Sequence, residues 1–247
     1  MGVPVLAAVL TILFLASFIR SAFGFGEALI AVPLLAFAMP VEQAAPVAAL
    51  VSITVAVVAI AQDWRHIHLR SAGRLFLATA VGTPIGLWAL HALDERLVKM
   101  ALGAIVAVFS GFALARRRQA ALHDDRHAWA FGFGAGVLGG AYGMNGPPLV
   151  MYGALRGWSP QHFRATLQGY FLPASLMTVA GYGFTGLLTP VVTRCYLRAL
   201  PVVLVAILLG RMLNRRLAGP AFVRCVHVGL IVVGALLLLQ SQGWIGG

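Results

Sequence analysis

The chain is 247 residues long, 60% hydrophobic and only 10% charged, with a formal net charge of +11 and a mean hydropathy of +0.91. Soluble domains carry about a quarter charged residues, so a soluble globular core is excluded. The basic residues sit in short clusters between apolar runs, as in the loops of a membrane protein, and this argues against a nucleic-acid partner.

Ten apolar runs follow in chain order: residues 3–20, 26–39, 44–62, 75–91, 97–115, 127–142, 145–157, 164–184, 195–211 and 220–240. Most approach the roughly 20 residues that a helix needs to cross a 30 Å hydrocarbon layer. A stretch such as 200–209 does not alternate as a barrel strand must. The expected fold class is therefore an all-α integral membrane protein, whose helices satisfy their own backbone groups in lipid. The first run lacks a basic leader and is as long as a span, which reads as a retained helix rather than a cleaved signal. Leu6 stands where myristoylation wants Ser or Thr, so that modification is dropped. The second and seventh runs, at about 13 or 14 residues, are short for a span and suit broken or re-entrant helices. Eight to ten transmembrane segments are expected.

The charged loop from Arg116 to His127 divides the runs five and five. This gives an N-terminal membrane repeat (1–115), a cytoplasmic connecting loop (116–127) and a C-terminal membrane repeat (128–247). A shift of 119 positions places Gly24 on Gly143, Ala22 on Ala141, Ala16 on Ala135 and Phe14 on Phe133. If all ten runs cross with the N-terminus outside, only Arg96, Lys99, Arg194 and Arg198 of the 18 basic residues fall outside. That is the bias of the positive-inside rule, with Arg20 counted in an inside loop. Five crossings per half make the repeats inverted.

Two stretches can carry chemistry. In the first, Gly24 and Gly26 interrupt a helical run and Glu27 follows at once. Glycine permits positive φ, and the break frees backbone N–H groups at the start of the next short helix, a ready anion site. In the second, Gly143, Met144, Asn145 and Gly146 form the break, with Pro147 tolerated in the first helical turn and Asn145 offering donors and an acceptor. Paired breaks in corresponding places of two halves point to a midplane binding site. The alternative for both is a packing surface of small residues, which is also how Gly82 and Gly86 read.

These stretches resemble the sulfite exporter TauE/SafE family of membrane permeases. The family opens each half with a glycine-rich break followed by an apolar run containing proline. Here those are Gly24-Phe25-Gly26-Glu27 with Pro33, and Gly143-Met144-Asn145-Gly146-Pro147-Pro148, followed by Phe163-Arg164-Ala165 and Gly169-Tyr170-Phe171. The resemblance covers nearly the whole chain and implies transport of sulfite, sulfonates or related small anions. Glu27 departs from it, standing where the family more often has a third glycine. A carboxylate beside an anion site repels the substrate unless it binds a proton, which points to proton coupling or to a different substrate. The alternative places Glu27 at a solvated rim, paired with Arg20.

Arg164 opens the eighth run, with Gln168, Phe171 and Ser175 following at helical spacing. Arg164 reads as an anion clamp or as a headgroup anchor, and Gln168 as a lining residue. The candidate substrate-binding set is thus Gly24, Gly26, Glu27, Gly143, Met144, Asn145, Gly146, Pro147, Arg164 and Gln168. His66, His68, His123 and His127 lie in short charged loops and read as headgroup contacts rather than metal ligands. Cys195 and Cys225 lack metal-ligand spacing. No cofactor or metal is expected.

No ATP-binding loop, Gly-x-Ser-x-Gly motif or paired helical histidine is present, so the chain reads as a secondary transporter rather than an enzyme. A passive anion channel, an intramembrane enzyme and an assembly scaffold are the rival readings. The expected location is the cell inner membrane, and the expected partners are a small anion, a co-transported proton and lipid. An oligomer is allowed.

Overall fold

The computed structural model describes residues 3–63, 69–115, 122, 126–158, 160–214, 228, 231–232, 234–235 and 238–239. Among the described residues the chain forms nine α-helices and no strand: α1 (Val3–Phe23), α2 (Glu27–Leu35), α3 (Val41–Asp63), α4 (Leu69–Ala92), α5 (Glu95–Ala115), α6 (Ala128–Tyr142), α7 (Gly146–Leu155), α8 (Pro160–Phe184) and α9 (Pro190–Asn214). Nine of the ten apolar runs become these helices. The tenth, 220–240, lies mostly outside the described residues, and those described within it are helical.

Five helices are long and apolar enough to cross a membrane, through Pro4–Ala22, Val41–Ala59, Gly73–Ala92, Glu95–Ala115 and Pro190–Met212. The short runs are short helices. α2 has 9 residues and α7 has 10, which at 1.5 Å per residue is roughly 14 to 15 Å, half the hydrocarbon thickness. Exposed Leu77, Trp88, Val108, Leu197 and Leu208 give the bundle an apolar exterior, as a lipid-facing surface requires.

Polar bonds do not hold most of this bundle together; close backbone approach does. Gly132, Gly136 and Gly140 recur every fourth residue on α6, and a Cβ on any of them would overlap the α4 backbone between Leu75 and Leu87. From the other side, Gly82 and Gly86 of α4 press on the α6 backbone at Phe133, Val137 and Ala141. Apolar side chains gain little by leaving lipid for protein, so such contacts supply association through dispersion. Thr79 Oγ1 adds a bond to Gly132 O (2.8 Å) and meets Tyr170 Oη at 2.6 Å, tying α8 to the pair. α1 lies on α9 in the same manner, with Gly210 against Phe18 and Ser21.

Two buried clusters result. One joins α1, α2, α3, α5 and α9 with Leu87 and Leu90 of α4, Ala141 and Tyr142 of α6 and Tyr182 of α8, and the other joins residues of α4, α6, α7 and α8, with Phe25 packed against both. Phe25 lies in the first glycine break.

The α4–α6 contact makes a direct prediction. Gly136→Ala sets a methyl 2.9 Å from the Thr79 and Thr83 backbones and should cost about 1–3 kcal/mol as overpacking. Gly111→Ala meets nothing within 4 Å and should leave the thermal unfolding midpoint in detergent unchanged or raised. Equal midpoints for the two variants would remove the close-packing account.

Candidate functional site

The first break begins where α1 stops. Gly24 and Gly26 have φ of 88° and 99°, values that residues with a Cβ rarely adopt. Gly24 N–H bonds back to Arg20 O at 2.6 Å, and Gly26 O accepts the first bond of α2 from Ile30 N. Arg20 is therefore in the last turn of α1 and Glu27 in the first turn of α2. Each charge sits at the helix end whose dipole it complements.

The two side chains meet across the break. Arg20 Nη1 donates to Glu27 Oε2 at 2.7 Å, with the residues 7% and 1% exposed. The same nitrogen donates to Ser52 Oγ on α3, and the guanidinium lies over the Phe171 ring of α8, 4.9 Å from its centroid. The pairing of Glu27 with Arg20 matches one sequence reading, but the solvated rim does not. The location of Arg20 in a loop is also corrected: α1 continues to Phe23, which carries the arginine into the protein interior.

The second break follows α6. Gly143 has φ of 64°, and its N–H bonds to Gly139 O at 2.8 Å. A Cβ here would stand 2.9 Å from Ala45 O on α3. Asn145 precedes α7 without capping it. Its side chain lies against Gly139, where a Cβ would collide with it. Asn145 is 6% exposed; its Nδ2 makes no close hydrogen bond among the described residues, and its side chain faces the Tyr170 hydroxyl of α8. Pro147 and Pro148 occupy the first turn of α7 and bring no N–H groups. Donors at this break reduce to the Asn145 amide and the backbone N–H of Asn145 and Gly146.

Both breaks open on one cavity of about 20 Å³, lined among others by Arg20, Glu27, Ser52, Asn145 and Phe171. That is room for about one water. Of the sequence candidates, Gly26, Glu27, Gly143, Met144, Asn145, Gly146 and Pro147 line it. Gly24 shapes the turn without lining the cavity. Arg164 and Gln168 lie on α8, with side chains outside the described residues, and His66, His68, His123 and Cys225 lie outside the described residues altogether.

Arg20, Ser52 and Phe109 also line it and were not among the sequence candidates. The signal for Arg20 was an opposite charge seven residues away across a glycine break. Ser52 and Phe109 carry no local signal, since they reach the cavity only through the packing of α3 and α5.

If positive φ and contact with α3 both fix Gly143, Gly143→Ala should lower the unfolding midpoint more than Gly186→Ala. Gly186 has φ of 76° but open space around it, so alanine there meets only the roughly 1–2 kcal/mol left-handed strain. Equal losses would mean that contact with Ala45 does not hold the second break.

A family model described as Sulfite exporter TauE/SafE matches residues 9–237. The chain is 27% identical over 213 residues to a protein of Cupriavidus necator named "Probable sulfite/organosulfonate exporter TauE", covering 83% of this chain and 82% of that one. It is also 27% identical over 186 residues to a protein of Comamonas testosteroni named "Probable inner membrane transporter protein TsaS", covering 74% and 76%. No solved structure matches it.

Proposed function

Because the chain belongs to the sulfite exporter TauE/SafE family, we propose that it is a secondary transporter of sulfite, organosulfonates or related small anions, with the site between its two glycine breaks. It is a multi-pass transporter of the cell inner membrane, in keeping with its long apolar helices and its relatives. The observation that carries the site reading is that both breaks line one cavity holding a guanidinium and the Asn145 amide, whose Nδ2 makes no close hydrogen bond among the described residues. An anion there would meet Arg20, Asn145 Nδ2 and the N-terminal end of α2. Gly24, Gly26, Gly143, Met144, Gly146 and Pro147 shape the approach, and Arg164 and Gln168 of α8 are proposed as further substrate-binding residues.

The two halves, 1–115 and 128–247 around the loop 116–127, are proposed to be inverted repeats with eight to ten crossings between them. Support comes from the packing: α1 lies on α9 as α6 lies on α4, α1 on α2 as α6 on α7, and α3 on α9 as α8 on α4. Exchanging α1 with α6, α2 with α7, α3 with α8 and α4 with α9 maps these contacts onto one another. The contacts of α3 with α8 and of α2 with α7 map onto themselves, where a pseudo-two-fold axis would pass. Alternating access then follows from rocking one half against the other. A proton is the proposed coupling ion, with Glu27 as its acceptor.

Flux into proteoliposomes tests this reading with a panel of sulfite, sulfoacetate, sulfolactate and simple carboxylates. Concentrative uptake of a sulfur oxyanion, collapsed by a protonophore, is expected. Asn145→Ala should weaken it about tenfold or more through the loss of one donor to a charged ligand. Flux indifferent to every imposed gradient would make the protein a channel, and no flux of any panel member would end the transport reading.

A further inference from the structure

We propose that Arg20 is the direct ligand of the transported anion and that Glu27 is its resident competitor, so that an anion and a proton occupy the site together, one of each. This rests on the transporter reading above. Arg20 Nη1 makes both hydrogen bonds of the guanidinium, to Glu27 Oε2 and Ser52 Oγ. Among the described residues its Nε and Nη2 make none. That edge is the fork that receives two oxygens of a sulfonate or sulfite in parallel. Phe171 beneath the guanidinium holds its plane.

Charge balance sets the order of events. The empty site holds one cation and one carboxylate and is neutral. A monovalent anion added to it leaves one uncompensated negative charge where repulsion is several-fold stronger than in water. A proton on Glu27 restores neutrality. Glu27 Oε1 is buried without a hydrogen-bond partner and is where that proton sits, taken from water on whichever side the cavity opens. No other described titratable group faces the pair. α3 contributes Ser52, α5 Phe109, the second break Asn145, and α8 Phe171 and Ser175.

Volume leads to the same conclusion. With room for about one water beside the intact pair, exchange of the carboxyl for the anion needs less rearrangement than addition of an anion to the pair. Once neutralised, the carboxyl releases Arg20 Nη1, and the guanidinium turns its free Nε and Nη2 edge to the anion in the space the carboxyl leaves. Only the two neutral states, ion pair alone or anion with proton, then cross the occluded midpoint readily. Anion and proton move in the same direction, and the sum of their gradients decides whether the protein imports or exports.

The test uses purified full-length protein and radiolabelled methanesulfonate, binding in detergent across a pH series and flux in proteoliposomes with an imposed membrane potential. Parent affinity should fall about tenfold per pH unit on the alkaline side, the slope for one proton taken up per anion, and flux should ignore the potential. Glu27→Gln should bind with no pH slope and exchange labelled for unlabelled anion across the membrane while losing net proton-coupled flux. Arg20→Gln alone leaves a buried carboxylate without its cation and stands to misfold. The informative variant is therefore Arg20→Gln with Glu27→Gln, which should bind at least tenfold more weakly than Glu27→Gln. A pH slope retained in Glu27→Gln, or a double variant binding as tightly as Glu27→Gln, overturns the proposal while leaving the transport reading intact. A parent that neither binds nor carries methanesulfonate or any anion of the panel overturns both.

Discussion

The ion pair between Arg20 and Glu27 is the polar junction at which four helices meet. It spans the glycine break between α1 and α2, and Arg20 reaches α3 through Ser52 and α8 through Phe171. The guanidinium thereby joins the larger apolar cluster to the smaller one, into which Phe171 packs. Removing two charges from water costs several kcal/mol per ion before their attraction is counted, and apolar side chains of similar volume often serve stability as well. A pair kept at that cost, with one carboxyl oxygen unpartnered among the described residues, fits the exchange proposed above.

The breaks at the two ends of the cavity differ in chemistry. The first presents a charge of each sign and a helix start with its N–H groups intact. The second presents an amide, two prolines and few backbone donors. On the proposal above, the first break is the one that takes the proton and the second the one that selects ligand shape. The helix pairs behind the breaks also differ. α4 and α6 are locked by five glycines meeting backbone, whereas the corresponding α1 and α9 meet through Gly210 alone among the described glycines. Rigidity on one side and looser packing on the other suit a carrier in which α1, bearing Arg20, moves against a fixed scaffold.

Hydropathy and glycine placement determined much of this without coordinates. A run of apolar residues commits its backbone to a helix in lipid because nothing else satisfies the peptide groups there, and nine runs became helices accordingly. The breaks at Gly24, Gly26 and Gly143 were legible because positive φ is a local property of the chain, and Gly82 and Gly86 because small residues at helical spacing admit close backbones. Glu27 was legible because an ionisable residue inside an apolar run is costly. Cutting runs at charged residues hid Arg20. A helix does not end where a charge occurs, and a partner seven residues on allows it to continue inward. Tertiary structure alone decided that the two breaks share one cavity, that Ser52 and Phe171 reach the guanidinium, and that the cavity holds about one water. Those facts depend on how α3 and α8 cross the breaks, which long-range packing sets and no local pattern encodes.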